Sequence, residues 1–158
     1  MESTVVEIIK GMLAPGILIS ACGLLLLGMN NKYSLVVNRI RILNSEFRQL
    51  DENEDERRTS IRVQLPLLIK RMKYIRNAVW LYTVSIAMFL FTEFMLANYL
   101  INGKTKTNAM LSLAMLLVAM LSLLSGISYA AREVMLGYKI VLIESETVLG
   151  RDMAKAEN

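Results

Sequence analysis

The stretch Thr107–Ala131, TNAMLSLAMLLVAMLSLLSGISYAA, contains no charged residue. A helix crosses the hydrocarbon of a bilayer in ~20 mostly apolar residues, at ~1.5 Å each. This stretch is long enough, and two others match it. Residues 11–31 run uncharged from Gly11 through Leu24-Leu25-Leu26-Leu27 to Asn31. Residues 77–103 carry a single charge, Glu93. Three buried core helices of this kind would leave a chain of 158 residues with no polar surface to cover them. The expected fold is therefore all-α, a three-helix transmembrane bundle. Its spans fall at about 11–31, 78–101 and 108–131, within a single membrane domain over 1–158.

Composition agrees. Hydrophobic residues make up 54% of the chain and charged residues 20%, against ~45–50% and ~25% in soluble domains. Mean hydropathy is +0.43, which also excludes a disordered chain. There is no His and a single Cys, Cys22. That removes the common zinc, haem and iron–sulfur ligand sets, so neither a metal nor a cofactor is expected. No nucleophile is paired with a base, no Gly-rich phosphate loop occurs, and no carboxylate pair has active-site spacing, so no enzyme is expected. A cleaved signal peptide is the rival reading of the first span. Its start, Met1-Glu2-Ser3, is acidic rather than basic and the apolar run is too long, so the helix is read as retained.

Orientation follows from the basic residues. Residues 32–76 hold eleven Lys and Arg and the tail from Arg132 adds four, against three (Lys10, Lys104, Lys106) on the other side. Fifteen against three places the long loop and the C-terminus in the cytoplasm and the N-terminus outside the cell membrane. Asn102–Thr107 is then a short external turn. Nucleic acid is a competing partner for the basic loop. The acidic run Asp51-Glu52-Asn53-Glu54-Asp55-Glu56 would repel phosphates, so none is expected.

The loop itself reads as helix. Val36, Ile40, Leu43, Phe47 and Leu50 recur at spacings of four and three, as do Ile61, Leu65, Leu68, Met72, Ile75 and Val79. The seams predict a cytoplasmic helical hairpin over 32–77, with the acidic run at its tip and Pro66 kinking the second arm or starting its regular part. An apolar band from Val134 to Leu149 predicts a cytoplasmic C-terminal helix over 132–149, ended by Gly150. The apolar surface exceeds what one hairpin needs, which points to burial between copies of the chain.

Small and polar residues mark two helical faces. Gly16, Ser20, Gly23, Leu27 and Asn31 share one face of the first span. Ser112, Ala119, Ser122, Gly126 and Glu133 share one face of the third. Small residues let membrane helices approach closely, which is the packing reading. The sharper reading makes the first face a pore lining, with Pro15-Gly16 kinking the helix or opening its backbone. Glu93 sits some 8–13 Å deep by residue count, and an ionisable group there is a candidate ion or proton site by default. The alternative bonds it to Asn98, Asn108 or Lys106 near the interface. Glu7 could form an acidic ring at an outer mouth; the plainer reading is a solvated residue. Trp80, Tyr74 and Tyr82 are expected at the inner interface and Tyr99 at the outer one.

Leu13-Ala14-Pro15-Gly16-Ile17-Leu18-Ile19-Ser20, Leu24–Leu27, Asn31-Lys32 and Asn38-Arg39-Ile40-Arg41, with Lys70-Arg71, Arg76-Asn77-Ala78 and Arg132-Glu133, resemble an uncharacterised bacterial family of three-span membrane proteins. It is catalogued as a domain of unknown function, number twenty-seven twenty-one. The resemblance covers residues 8–145. Lys32 stands where the family pattern has Arg, and Asn38 where it has Asp. The resemblance implies three spans and brings no activity with it.

Lys32, Arg39 and Arg41 lie just inside the membrane. They suit a basic cytoplasmic ring or a lipid-phosphate site, since Arg binds phosphates bidentately. Glu133, at matching depth, is expected to pair with Arg39 or Arg41. Two function classes remain. One is a homo-oligomeric ion channel or pore lined by the first helix, whose candidate residues are Glu7, Gly16, Ser20, Gly23, Asn31 and Glu93. The other is a membrane-anchored scaffold or regulatory subunit, which binds an unidentified cytoplasmic protein and transports nothing. The lipid bilayer and a second copy of the chain are the partners common to both.

Overall fold

The structure is a computed structural model that describes the backbone of residues 2–50, 55–101 and 106–156, with side chains over most of 6–99 and 107–145. It consists of three α-helices: α1, Glu2–Gln49; α2, Asp55–Ile101; and α3, Lys106–Ala156. All three are long and apolar enough to cross a membrane. At 47 to 51 residues each runs about 70 Å, more than twice the ~30 Å of hydrocarbon in a bilayer. Each helix is therefore shared between an apolar and a polar surrounding. Pro15 and Pro66 lie inside α1 and α2, and neither ends its helix. Pro66 does not start the regular part of α2, which already begins at Asp55. Gly150 does not end α3 either. The helix continues to Ala156, because Met153, Ala154 and Lys155 are strong helix formers. The expected acidic tip and external turn fall largely outside the described residues.

The sequence reading carried one domain over 1–158. Contacts group the chain into two compact units, residues 1–30 with 77–128 and residues 31–76 with 129–158. Both draw on all three helices.

In the first unit the core is Cys22, Phe89 and Ala119, wrapped by Leu18, Ile19, Ile86, Met88, Leu116 and Leu123. Lipid tails are as apolar as these side chains, so close packing and hydrogen bonds between helices must hold the unit together. Two such bonds join α2 and α3. Ser85 Oγ donates to the Ala119 carbonyl at 2.8 Å, and Ser122 Oγ to the Leu81 carbonyl at 3.0 Å. Gly126 makes room for Tyr82, since a Cβ there would sit 2.6 Å from the ring. Tyr82 is consequently a core residue. Its expected place in an aromatic belt is corrected by that cavity, whereas Trp80, two residues earlier, is 66% exposed.

The second unit is centred on Val36, Leu43, Ile61, Leu68, Ile75 and Ile140, all buried. These are seam residues of the four–three spacing, joined by α3. At the end of the α1–α2 pair, Arg57 clamps Glu46 with Nε at 2.6 Å and Nη2 at 3.0 Å. Arg58 and Arg62 lie over the Phe47 ring at 5.5 and 5.7 Å. The hydrogen bond from Arg57 holds the Glu46 carboxyl below its ordinary range. A lowered folded value means the pair stabilises fully above the unfolded value and loses that contribution as pH falls through the folded one. Both side chains are 33% exposed, so the pair contributes no more than ~1 kcal/mol. Glu46→Gln should therefore unfold slightly earlier than the parent at pH 7. The two unfolding curves should converge in acid, once the pH falls below the lowered value of the Glu46 carboxyl.

Candidate functional site

The most developed polar arrangement is built around Glu133, just past the uncharged run of α3. Its side chain is fully buried. A buried carboxylate is costly unless it is paired and hydrogen-bonded. Two cations meet that need. Arg71 of α2 donates Nε to Oε1 at 2.6 Å, and Lys32 of α1 donates Nζ to Oε2 at 2.9 Å. Each oxygen thus has its own cation, and one residue from each helix meets at a single point. Gly137, one turn further along α3, lies beneath the guanidinium: a Cβ there would be 3.2 Å from Arg71 Cζ.

Sequence reasoning placed Arg39 or Arg41 against Glu133. The structure puts Lys32 and Arg71 there instead. The reason is depth. In this unit α1 and α3 both run antiparallel to α2 and hence parallel to each other, so residues of α1 and α3 equally far past their own apolar runs are level. Lys32 directly follows the first uncharged run, as Arg132-Glu133 follows the third. Arg39 lies two turns, about 10 Å, further along. It lines an open pocket of about 180 Å³ with Lys32, Leu35, Val36, Leu68 and Arg71. Arg41, on another face of α1, is exposed. Arg71 was missed. The signal available was its place beside Leu68 and Ile75, which puts its stem at the edge of the seam.

Among the other candidate residues, Gly16 and Glu93 come together across α1 and α2: a Cβ on Gly16 would meet Glu93 Oε1 at 3.5 Å. Glu93 is half-buried. Ser20, Gly23 and Asn31 are exposed. Ser20 Oγ bonds to the Gly16 carbonyl of its own helix at 3.1 Å, and nothing lies within 4 Å of a Cβ built on Gly23. The small face of α3 has the opposite fate, with Ser112, Ala119, Gly126 and Glu133 all buried. The side chain of Glu7 lies outside the described residues.

Three membrane-length helices packed through small residues and interhelical hydroxyl bonds, with a buried carboxylate clamped beyond the apolar runs, define a helical-bundle membrane protein. A family model described as a protein of unknown function (DUF2721) matches residues 12–143, and the chain belongs to that family. No curated protein and no solved structure matches it.

Proposed function

We propose that the protein is a homo-oligomer that conducts ions between copies, along the outward face of α1, and has no catalytic activity. One observation carries the reading. Ser20 and Gly23 are uncovered in the apolar run of α1, while the interior of that unit is filled by Cys22, Tyr82, Phe89 and Ala119. A conduit can therefore form only where copies meet. Small residues on an outward face favour close helix approach, and the hydroxyl of Ser20 and the amide of Asn31 give that face its polarity. Glu93, half-buried beside Gly16, is the acidic group of the path, with Glu7 nearer the N-terminus. The excess of Lys and Arg in the second unit supports a cytoplasmic place for it at the cell membrane, where Lys32, Arg39 and Arg41 would form a basic vestibule.

The test is ion efflux from sealed liposomes together with oligomeric state in detergent. The parent chain should be oligomeric and release ions. Gly23→Leu should leave the protomer folded, because the position is exposed and a Cβ there meets nothing within 4 Å, yet shift the chain toward monomer and abolish efflux. Glu93→Gln should lower cation efflux with the oligomer intact. A monomeric parent, or a Gly23→Leu chain as leaky as the parent, would defeat the proposal. The scaffold reading draws on a different observation. Val134, Met135, Tyr138 and Val141 of α3 are exposed beyond the apolar run, a surface suited to a protein partner in water. Capture of a defined partner by an oligomer that shows no efflux would favour it.

A further inference from the structure

A second basic cleft lies between α2 and α3 in the second unit, away from Glu133. It is about 200 Å³ and is lined by Lys70, Tyr74, Arg132, Met135, Leu136 and Lys139. Three of the six are cations. Among the described residues, no carboxylate lies at ion-pair distance from any of them. Glu133, adjacent to Arg132 in sequence, points inward and is held by Lys32 and Arg71. The described carboxylates thus leave the charge of the cleft unanswered.

Its placement says what. Arg132 directly follows the uncharged run that ends at Ala131, and Tyr74 lies just before Asn77, where the uncharged run of α2 begins. Lys70 and Lys139 lie about 10–12 Å beyond those points at 1.5 Å per residue. The headgroup layer of one leaflet is roughly 5–8 Å deep, so the cleft opens where lipid phosphates sit, and the flexible lysine arms can reach back into that layer. Arg132 is braced for the task. Its guanidinium lies 5.9 Å from the centroid of the Tyr129 ring, and Tyr129 in turn packs on Tyr74 at 6.2 Å. Met135, Leu136 and the Tyr74 ring supply apolar wall for a glycerol arm. We propose that this cleft binds the headgroup of an anionic phospholipid, its phosphate held by Arg132 and flanked by Lys70 and Lys139. The site depends only on the membrane spans and not on conduction.

The probe is phosphatidylglycerol, counted on the intact protein by native mass spectrometry after transfer from mixed bilayers. The full chain should retain phosphatidylglycerol in preference to phosphatidylcholine, and less of it as salt is raised. A basic residue near a charged membrane contributes about fivefold, so Lys70→Gln with Lys139→Gln should weaken retention about 30-fold. Arg48→Gln with Arg62→Gln removes equal charge from exposed positions more than about 20 Å beyond the apolar runs, out of reach of the headgroups, and should leave retention unchanged. Arg132→Lys, which keeps the charge but loses the bidentate fork, should weaken it less than Arg132→Gln does. The proposal is overturned if phosphatidylcholine is retained equally. It also fails if the two double variants behave alike, or if inorganic phosphate in the millimolar range displaces the lipid, which would make the site one for the free anion.

Discussion

Arg71→Met should destabilise the protein by about 3 kcal/mol in detergent unfolding, whereas Glu133→Gln should cost nearer 1 kcal/mol. The two variants break the same ion pair, and the asymmetry comes from what each leaves behind. Removing Arg71 leaves a carboxylate at 0% exposure with Lys32 as its cation. Removing the charge of Glu133 leaves Lys32 and Arg71 at 40% and 27% exposure, where water can take over. Glu133→Leu combined with Arg71→Met should recover most of the loss, because a buried ion pair replaced whole by apolar groups is often neutral. Equal losses for the two single variants, or a double variant as unstable as Arg71→Met, would show that the carboxylate is not sealed from water.

Gly126→Ala should cost between about 1 and 3 kcal/mol, and Gly23→Ala should be neutral or slightly stabilising. Both add one methyl group to a helical glycine in an apolar run. At Gly126 that methyl meets Tyr82 ring carbons at 2.6 and 2.8 Å, and the ring is buried and has nowhere to move. At Gly23 it meets nothing within 4 Å. Tyr82→Leu should rescue Gly126→Ala by opening the space the ring fills, a coupling readable in a double-mutant cycle. If Gly126→Ala unfolds at the temperature of the parent, the packing of Tyr82 on α3 is looser than these distances say.

Much of the fold could be read from charge alone, since a helix that must cross hydrocarbon excludes Asp, Glu, Lys and Arg over about 20 residues. The seam of the second unit was also legible. Val36 and Leu43 on one arm, and Ile61, Leu68 and Ile75 on the other, recur every seventh residue of that seam, and all are buried. The site was legible only in part. Glu133 stood out as an acid just past an apolar run. Its partners required counting depth from the run ends, which selects Lys32 over Arg39. Arg71 gave less away, because an arginine beside a seam looks the same whether it turns to water or to a buried acid. The small faces of α1 and α3 show the sharpest limit. Gly23 and Gly126 occupy equivalent patterns, yet one face meets nothing in its own chain and the other receives a tyrosine. Sequence spacing marks a face that permits close approach, and it carries no information about which surface comes near.

Four outward hydroxyls among the described residues are internally answered. Ser20, Thr83, Ser125 and Ser128 each bond to a carbonyl one turn back in their own helix, whereas Ser85 and Ser122 reach across to another. A solitary copy therefore enters lipid with these O–H donors already bonded, and it does not need neighbours to receive them. The proposed self-association is then a matter of mass action, set by how many copies share a given area of bilayer. Diluting the protein with lipid should dissolve any such assembly without unfolding its members.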